Sequence, residues 1–305
     1  MVKGEGEDLS DRDTAIKAQV REFYDSIGWK QVGDGVYQNA RYEDLRPVSQ
    51  HYIQRCHERV SRFLPASGRA ILDAGSGPIQ YPAYLAYSEG YEKRVCLDIS
   101  HRALVEARER LGEKGWYVVG DAARLPFRRD AFDALVSMHT VHHLPPEEQI
   151  HAFHDFLRVI KPGAPAVVVN SWGPHSSLMK LASPFIQLNF ALIRFYRRLR
   201  YGEGKSQPET ELREDMQTGT HIYRYGYRWL KEYLSDLPGL DVRSWRSVST
   251  SFLRAMIHRR LLGRIWLDWI YRLEEAFPHW MGKHGQYALI RFRKPDPSSN
   301  KGSSL

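Results

Sequence analysis

The chain has 305 residues, 42% hydrophobic and 12% aromatic, which is enough apolar material for a full buried core and too much for a disordered chain. Its two cysteines, Cys56 and Cys96, exclude a disulfide framework or a thiolate metal cluster, while a net charge of +8 favours an anionic substrate, an acidic lipid surface or nucleic acid without choosing among them. No run approaches the roughly 20 uninterrupted apolar residues of a membrane span, and residues 1–13 hold no apolar signal-peptide core, so a cytoplasmic location is expected.

Residues 1–14 are polar and aperiodic and are expected to be disordered, as is the Pro/Ser/Lys tail 295–305. From 15 to 63 the apolar residues fall at helical spacing, interrupted over 28–35, which predicts a helical cap across 15–68. A buried strand is predicted at 69–74, and further strands at 94–98, 115–119, 132–138 and 165–170 alternate with helices at 100–111 and 146–159. This alternation predicts an α/β fold: a doubly wound, mostly parallel Rossmann-like sheet with helices on both faces, its core spanning 69–170. Next comes an insertion, 171–224, expected to lie over the open end as a helical lid; it holds a long helix at 177–200, arginine-rich at its C-terminal end, and a polar loop at 203–220. Helices at 227–237 and 251–277 and strands at 240–249 and 287–293 complete the fold over 225–294.

The segment ILDAGSGP, 71–78, joins a strand end to a glycine turn at the point where a helix would begin. Glycines are needed there because a side chain would keep a ligand away from the backbone. Some two dozen residues on, the strand VCLD ends in Asp98, where a carboxylate can accept both hydroxyls of a ribose. Gly120-Asp121-Ala122 follows another strand and offers a carboxylate to an adenine amino group, and FDALVSMHTVHHLP, 132–145, is a buried strand opening into a polar loop. A nucleotide-binding dehydrogenase would require a third glycine where Gln80 stands.

In this order and spacing the run resembles the class I S-adenosylmethionine-dependent methyltransferases, in particular the small-molecule type that includes the ubiquinone/menaquinone-biosynthesis enzymes. The resemblance implies S-adenosylmethionine as cofactor and S-adenosylhomocysteine as product. It implies that Asp73, Ala74, Gly75, Ser76 and Gly77 cradle the methionine part, that Asp98 binds ribose, that Ile99 packs on adenine, and that Asp121 and Ala122 face its edge. Met138 on the fourth strand, and Tyr24 on an N-terminal helix that could close the site, complete the cofactor candidates. LRVIKPGAPAVVV, 157–169, matches the family's helix, turn and strand, except that Ala164-Pro165 stands where a second glycine is usual.

Methyl transfer needs an aligned nucleophile and, where a proton must leave, a base. His139 and His143 follow the fourth strand and are the catalytic candidates, an ordinary imidazole being suited to proton removal from a hydroxyl. His142, His143, His151 and His154 lack a completing cysteine or carboxylate, so no metal is expected. Arg254, His258 and Tyr81 are candidates for binding a small-molecule substrate, an anionic group in the case of the first two. The helix 177–200 could instead rest on a membrane surface, its leucines and phenylalanines in the interface and its arginines on lipid phosphates. No Asn/Asp-Pro-Pro-Tyr/Phe element and no RNA-binding module is present, which ranks RNA methylation last among the enzyme readings; a cofactor-binding regulatory subunit without turnover is the alternative from another class. Nothing in the sequence speaks to oligomeric state.

Overall fold

The computed structural model describes residues 5–29, 43–201 and 222–298. Helix α1, Glu5–Phe23, runs into a π turn, Tyr24–Gly28; α2, Gln50–Glu58, continues into the tight turn Arg59–Phe63. There follow β1 (Gly68–Ala74), β2 (Tyr91–Asp98), α3 (His101–Leu111), β3 (Gly115–Val119), β4 (Ala134–Met138), α4 (Pro146–Val159), β5 (Pro165–Ser171) and α5 (Ser177–Tyr201). The chain then forms α6 (Tyr227–Tyr233), β6 (Asp241–Arg246), α7 (Thr250–Met256), α8 (Gly263–Ala276), α9 (Pro278–His284) and β7 (Tyr287–Arg293).

The strands form one sheet in the order β3-β2-β1-β4-β5-β7-β6, with β7 antiparallel to both of its neighbours and the other pairs parallel. Branched residues explain its centre. All seven residues of β5, PAVVVNS, are buried, as a strand covered on both faces requires. Alternate side chains feed two apolar layers: Leu72, Val168, Phe153 and Phe156 lie on the α4 side, and Ile71, Val136, Val167, Trp245, Leu253 and Leu267 on the side of α2, α7 and α8. Strand order reverses between β1 and β4, which opens a crevice at the carboxyl ends of these strands, the usual ligand position in such sheets.

Helix α3 starts where Ser100 Oγ accepts the Ala103 amide at 3.1 Å, and it stops before Gly112, whose φ of +55° suits glycine. Several elements differ from the sequence reading. Helix α1 begins at Glu5, inside the stretch expected to be disordered. After the glycine turn the chain forms not an α-helix but the tight 3-10 segment Pro82–Ser88, because Gly77 and Ile79 take positive φ and Pro78 and Pro82 remove amide donors. The single helix expected over 251–277 is broken between α7 and α8, where Leu262 is left-handed at φ +56°, and α9, begun by Pro278 at its first position, was not anticipated. The polar loop expected at 203–220, and most of the tail, lie outside the described residues. No described helix is long and apolar enough to cross a membrane.

Candidate active site

At the carboxyl end of β1 the chain turns through Gly75 (φ +76°) and Gly77 (φ +54°). The Gly75 and Ser76 amides donate to the Leu97 carbonyl at 2.7 and 3.1 Å, which fastens the turn to β2. A Cβ on Gly75 would come within 2.2 Å of Thr140, and one on Gly77 within 3.0 Å of the Trp29 ring, so both glycines are required by close approach as well as by φ. Asp73, just before the turn, is buried and paired with Arg94 of β2, whose Nη2 and Nε lie 2.5 and 3.1 Å from Oδ2. Burial raises the Asp73 carboxyl above its ordinary range and the Arg94 guanidinium opposes this. Asp73 therefore braces the turn from beneath, and backbone atoms form the cradle's surface. Ala74 is fully buried, and Ser76 nearly so.

Asp98 ends β2 and is 8% exposed. Oδ2 accepts the Gly77 amide at 2.8 Å and Oδ1 the Ser100 amide at 2.9 Å, so each oxygen keeps a lone pair for a further donor such as a ribose hydroxyl. Burial raises the Asp98 carboxyl to about 6 against these two amide bonds. Ligand hydroxyls that donate to the carboxylate favour the ionised form, so affinity should rise with pH up to about 6 and level off above it. Below that value the dissociation constant of the adenosyl cofactor should weaken by up to about tenfold per pH unit. Calorimetric titration between pH 5 and 8 checks this, and a flat profile would overturn it.

Asp121, on the loop after β3, lies 2.5 Å from Lys17 Nζ of α1, which also holds Glu148 of α4. Ala122 is buried behind it. Helix α1 is thus fastened over the loop that carries Asp121. Tyr24 OH is 3.0 Å from His143 Nε2, Trp29 stacks on Tyr24 with ring centroids 5.0 Å apart, and Ser100 Oγ donates to Asp25 at 2.5 Å. Lys17, Asp25 and Trp29 went unnoticed in the sequence because each is an ordinary residue of an amphipathic helix or turn until the helix docks. The glycine pair, Asp98 with a lone pair left on each oxygen, and Asp121 lie at the carboxyl ends of β1, β2 and β3.

Met138 ends β4 and His139 follows it, the His139 amide donating to the Val169 carbonyl at 2.9 Å. His139 is left-handed at φ +57°, a strained conformation for a non-glycine residue that is characteristic of functional turns. Its ring centroid lies 4.8 Å from that of Trp245 and 5.5 Å from that of Tyr287. His57 stands 5.2 Å beyond Trp245 and 4.5 Å from Tyr81. Both His57 ring nitrogens are buried without a hydrogen-bond partner among the described residues. Burial pushes the imidazoles of His57 and His139 down to about 3, so both are neutral at physiological pH. His142 Nδ1 is instead held by Asn170 Oδ1 at 2.8 Å.

The remaining candidates are more scattered. Arg254 donates to the Glu43 carbonyl at 3.0 Å, and the Glu43 carboxylate pairs with the buried Arg246, so Arg254 borders the aromatic group. His258 bonds the Ala255 carbonyl of its own turn at 2.9 Å. Trp245, Arg246 and Tyr287 are brought to His139 by the pairing of β6 with β7, a long-range register that no local motif signals. Among the described residues, no group of three or more His, Cys, Asp and Glu side chains is placed to hold a metal ion.

Residues 72–168 match the family model described as methyltransferase domain. Over 201 residues the chain is 32% identical to a tRNA (carboxymethyluridine(34)-5-O)-methyltransferase of Arabidopsis thaliana, covering 58% of this chain and 48% of that protein. Over 112 residues it is 31% identical to a ubiquinone/menaquinone biosynthesis C-methyltransferase of Cereibacter sphaeroides, covering 34% and 43% respectively. The chain therefore spans somewhat under half the length of these relatives. A phosphoethanolamine N-methyltransferase of Haemonchus contortus, solved with S-adenosyl-L-methionine, shares the fold with a TM-score of 0.53 over 91% of this chain and 60% of that one, at 16% identity.

Proposed function

We propose that this chain, whose core is a class I S-adenosylmethionine-dependent methyltransferase domain, transfers the sulfonium methyl group to an oxygen or carbon of a small, largely apolar acceptor. The reading is carried by the group around His139: neutral imidazoles and the rings of Trp245, Tyr287 and Tyr81, next to the strand end that faces the glycine turn. Such surroundings favour a flat or lipophilic molecule over a phosphate, and the unpartnered nitrogens of His57 offer hydrogen bonds to its polar atoms.

Gly75, Gly77, Asp98, Ile99, Asp121 and Ala122 hold the cofactor in this reading, and Lys17 and Tyr24 close over it. S-adenosylmethionine held there would supply an electrophilic methyl group, which the electron pair of an acceptor oxygen or enolate carbon would take up, the carbon–sulfur pair staying on sulfur and the acceptor's proton passing to water. His139, neutral and fixed by its turn, accepts a hydrogen bond from an acceptor hydroxyl and aligns it; a ring titrating near 3 orients better than it deprotonates. His143, tied to Tyr24, links the closing helix to the same loop.

The Arabidopsis relative named for a tRNA substrate and the charge of +8 favour RNA as a second reading. Incubation with methyl-tritiated S-adenosylmethionine and either a solvent-extracted metabolite fraction or total tRNA separates them. Label in the extracted small molecules is expected; label in tRNA alone would replace this reading with the second. Cofactor binding by calorimetry without label in either fraction would point to a regulatory subunit.

A further inference from the structure

Beyond the active site, the described surface carries two long apolar stripes that none of the described residues covers. On α5, Leu181, Phe185, Leu188, Leu192, Phe195 and Leu199 follow one another at steps of four and three residues along one face, each more than half exposed. The body of the protein takes the opposite face, where Met179 and Ile186 are buried. On α8, Leu262, Ile265, Trp266, Trp269 and Phe277 form a second stripe, likewise more than half exposed, although the other side of that helix buries Leu267, Tyr271 and Glu274. The two helices are neighbours through α7, because Asn189 of α5 donates to Met256 Sδ at 3.1 Å, a few residues before Leu262.

We propose that these stripes form a docking surface for an anionic lipid membrane, on which the protein lies without crossing it. The charges beside them carry the choice of partner. Residues 177–201 contain no Asp or Glu, and their basic side chains include the exposed Arg194, while Arg259, Arg260 and Arg264 stand exposed around the start of α8. The acidic residues of α8 are each paired with an arginine of the protein body: the buried Glu274 with Arg59, and the more exposed Asp268 with Arg55 and Glu275 with Arg59 and Arg62. Apolar and indole side chains with a local excess of basic residues are the pattern of a helix seated in a headgroup layer, with rings at the acyl boundary and guanidinium groups on lipid phosphates. A second copy of the same surface would bring arginine against arginine. The chain's own 202–221 segment offers only Leu212 and Met216 as large apolar residues, too few to match the two stripes.

The test is sedimentation of the full chain with vesicles of phosphatidylcholine alone or mixed with phosphatidylglycerol, at low and high salt. Retention on the mixed vesicles, weakened by salt and weak on phosphatidylcholine alone, is expected. The paired changes Trp266→Ala with Trp269→Ala, and Leu188→Ser with Leu192→Ser, lie on exposed positions away from the cofactor cleft, and each pair should weaken retention roughly tenfold or more while leaving cofactor binding and circular dichroism unchanged. Absence of retention on anionic vesicles, or retention unaffected by both pairs of changes, would overturn the proposal. So would sedimentation equilibrium showing concentration-dependent self-association that these same changes abolish, since the stripes would then be a contact between copies.

Discussion

Asp98→Asn should weaken binding of S-adenosylmethionine and S-adenosylhomocysteine by roughly 100-fold with the fold retained. The carboxylate offers one free lone pair on each oxygen after accepting the Gly77 and Ser100 amides, and two ribose hydroxyls can use them. Hydrogen bonds to a charged group contribute about 1.5–3 kcal/mol each, and partial compensation by water leaves a net loss of about 3 kcal/mol, or roughly two decades of affinity. An amide at this position keeps one acceptor oxygen and points its NH2 at a hydroxyl or at a backbone amide. The variant also loses the ionisation that burial places near 6. Its affinity, measured by calorimetry, should therefore be nearly independent of pH where the parent protein's falls on acidification. Parent-like affinity with a parent-like pH profile would show that Asp98 does not hold the ribose.

Arg94→Leu should destabilise the protein by about 3–5 kcal/mol, because it leaves the Asp73 carboxylate buried and uncompensated under the glycine turn. The sign of the pH dependence follows from burial, which raises the Asp73 carboxyl further once the guanidinium is gone. A carboxyl whose folded value lies above its unfolded value costs stability as pH rises from the unfolded value through the folded one. The deficit of the variant should therefore be largest at neutral pH and shrink toward pH 4. Urea denaturation at pH 4.5 and 7.5 reads both effects. The double change Arg94→Leu with Asp73→Leu should recover much of the loss at neutral pH, since removing both charges relieves the burial cost that removing one exposes. A single variant as stable as the parent at both pH values would mean that the pair is not structurally important.

The glycine turn and the strand ends that carry Asp98 and Asp121 were legible because their signals are local: each follows a short run of apolar, β-favouring residues that reads as a strand. The same holds for β3 and α4, whose bounds match the hydrophobic pattern residue for residue. Local reading failed where backbone geometry overrides periodicity. Ile79 and Leu262, both apolar and in otherwise helical patterns, take positive φ, and the helices expected there are shortened or broken. It failed also at the acceptor side. His139 stood out in the sequence for its place after β4, yet its burial, its neutral ring and its contact with Trp245 and Tyr287 depend on a β6–β7 pairing more than a hundred residues away in the chain.

By itself, then, the sequence determined the parallel strands, the crevice and the glycine turn, since strand periodicity and such a turn act within a few residues of one another and tolerate few other arrangements. Tertiary structure alone decided what surrounds that turn: that α1 folds back so that Lys17 reaches Asp121 and Tyr24 reaches His143, and that Asp73 is a brace held by Arg94. It also decided that the apolar faces of α5 and α8 point outward. An amphipathic helix encodes in its sequence that one face is apolar, but whether that face meets the core or the outside depends on packing between segments far apart in the chain.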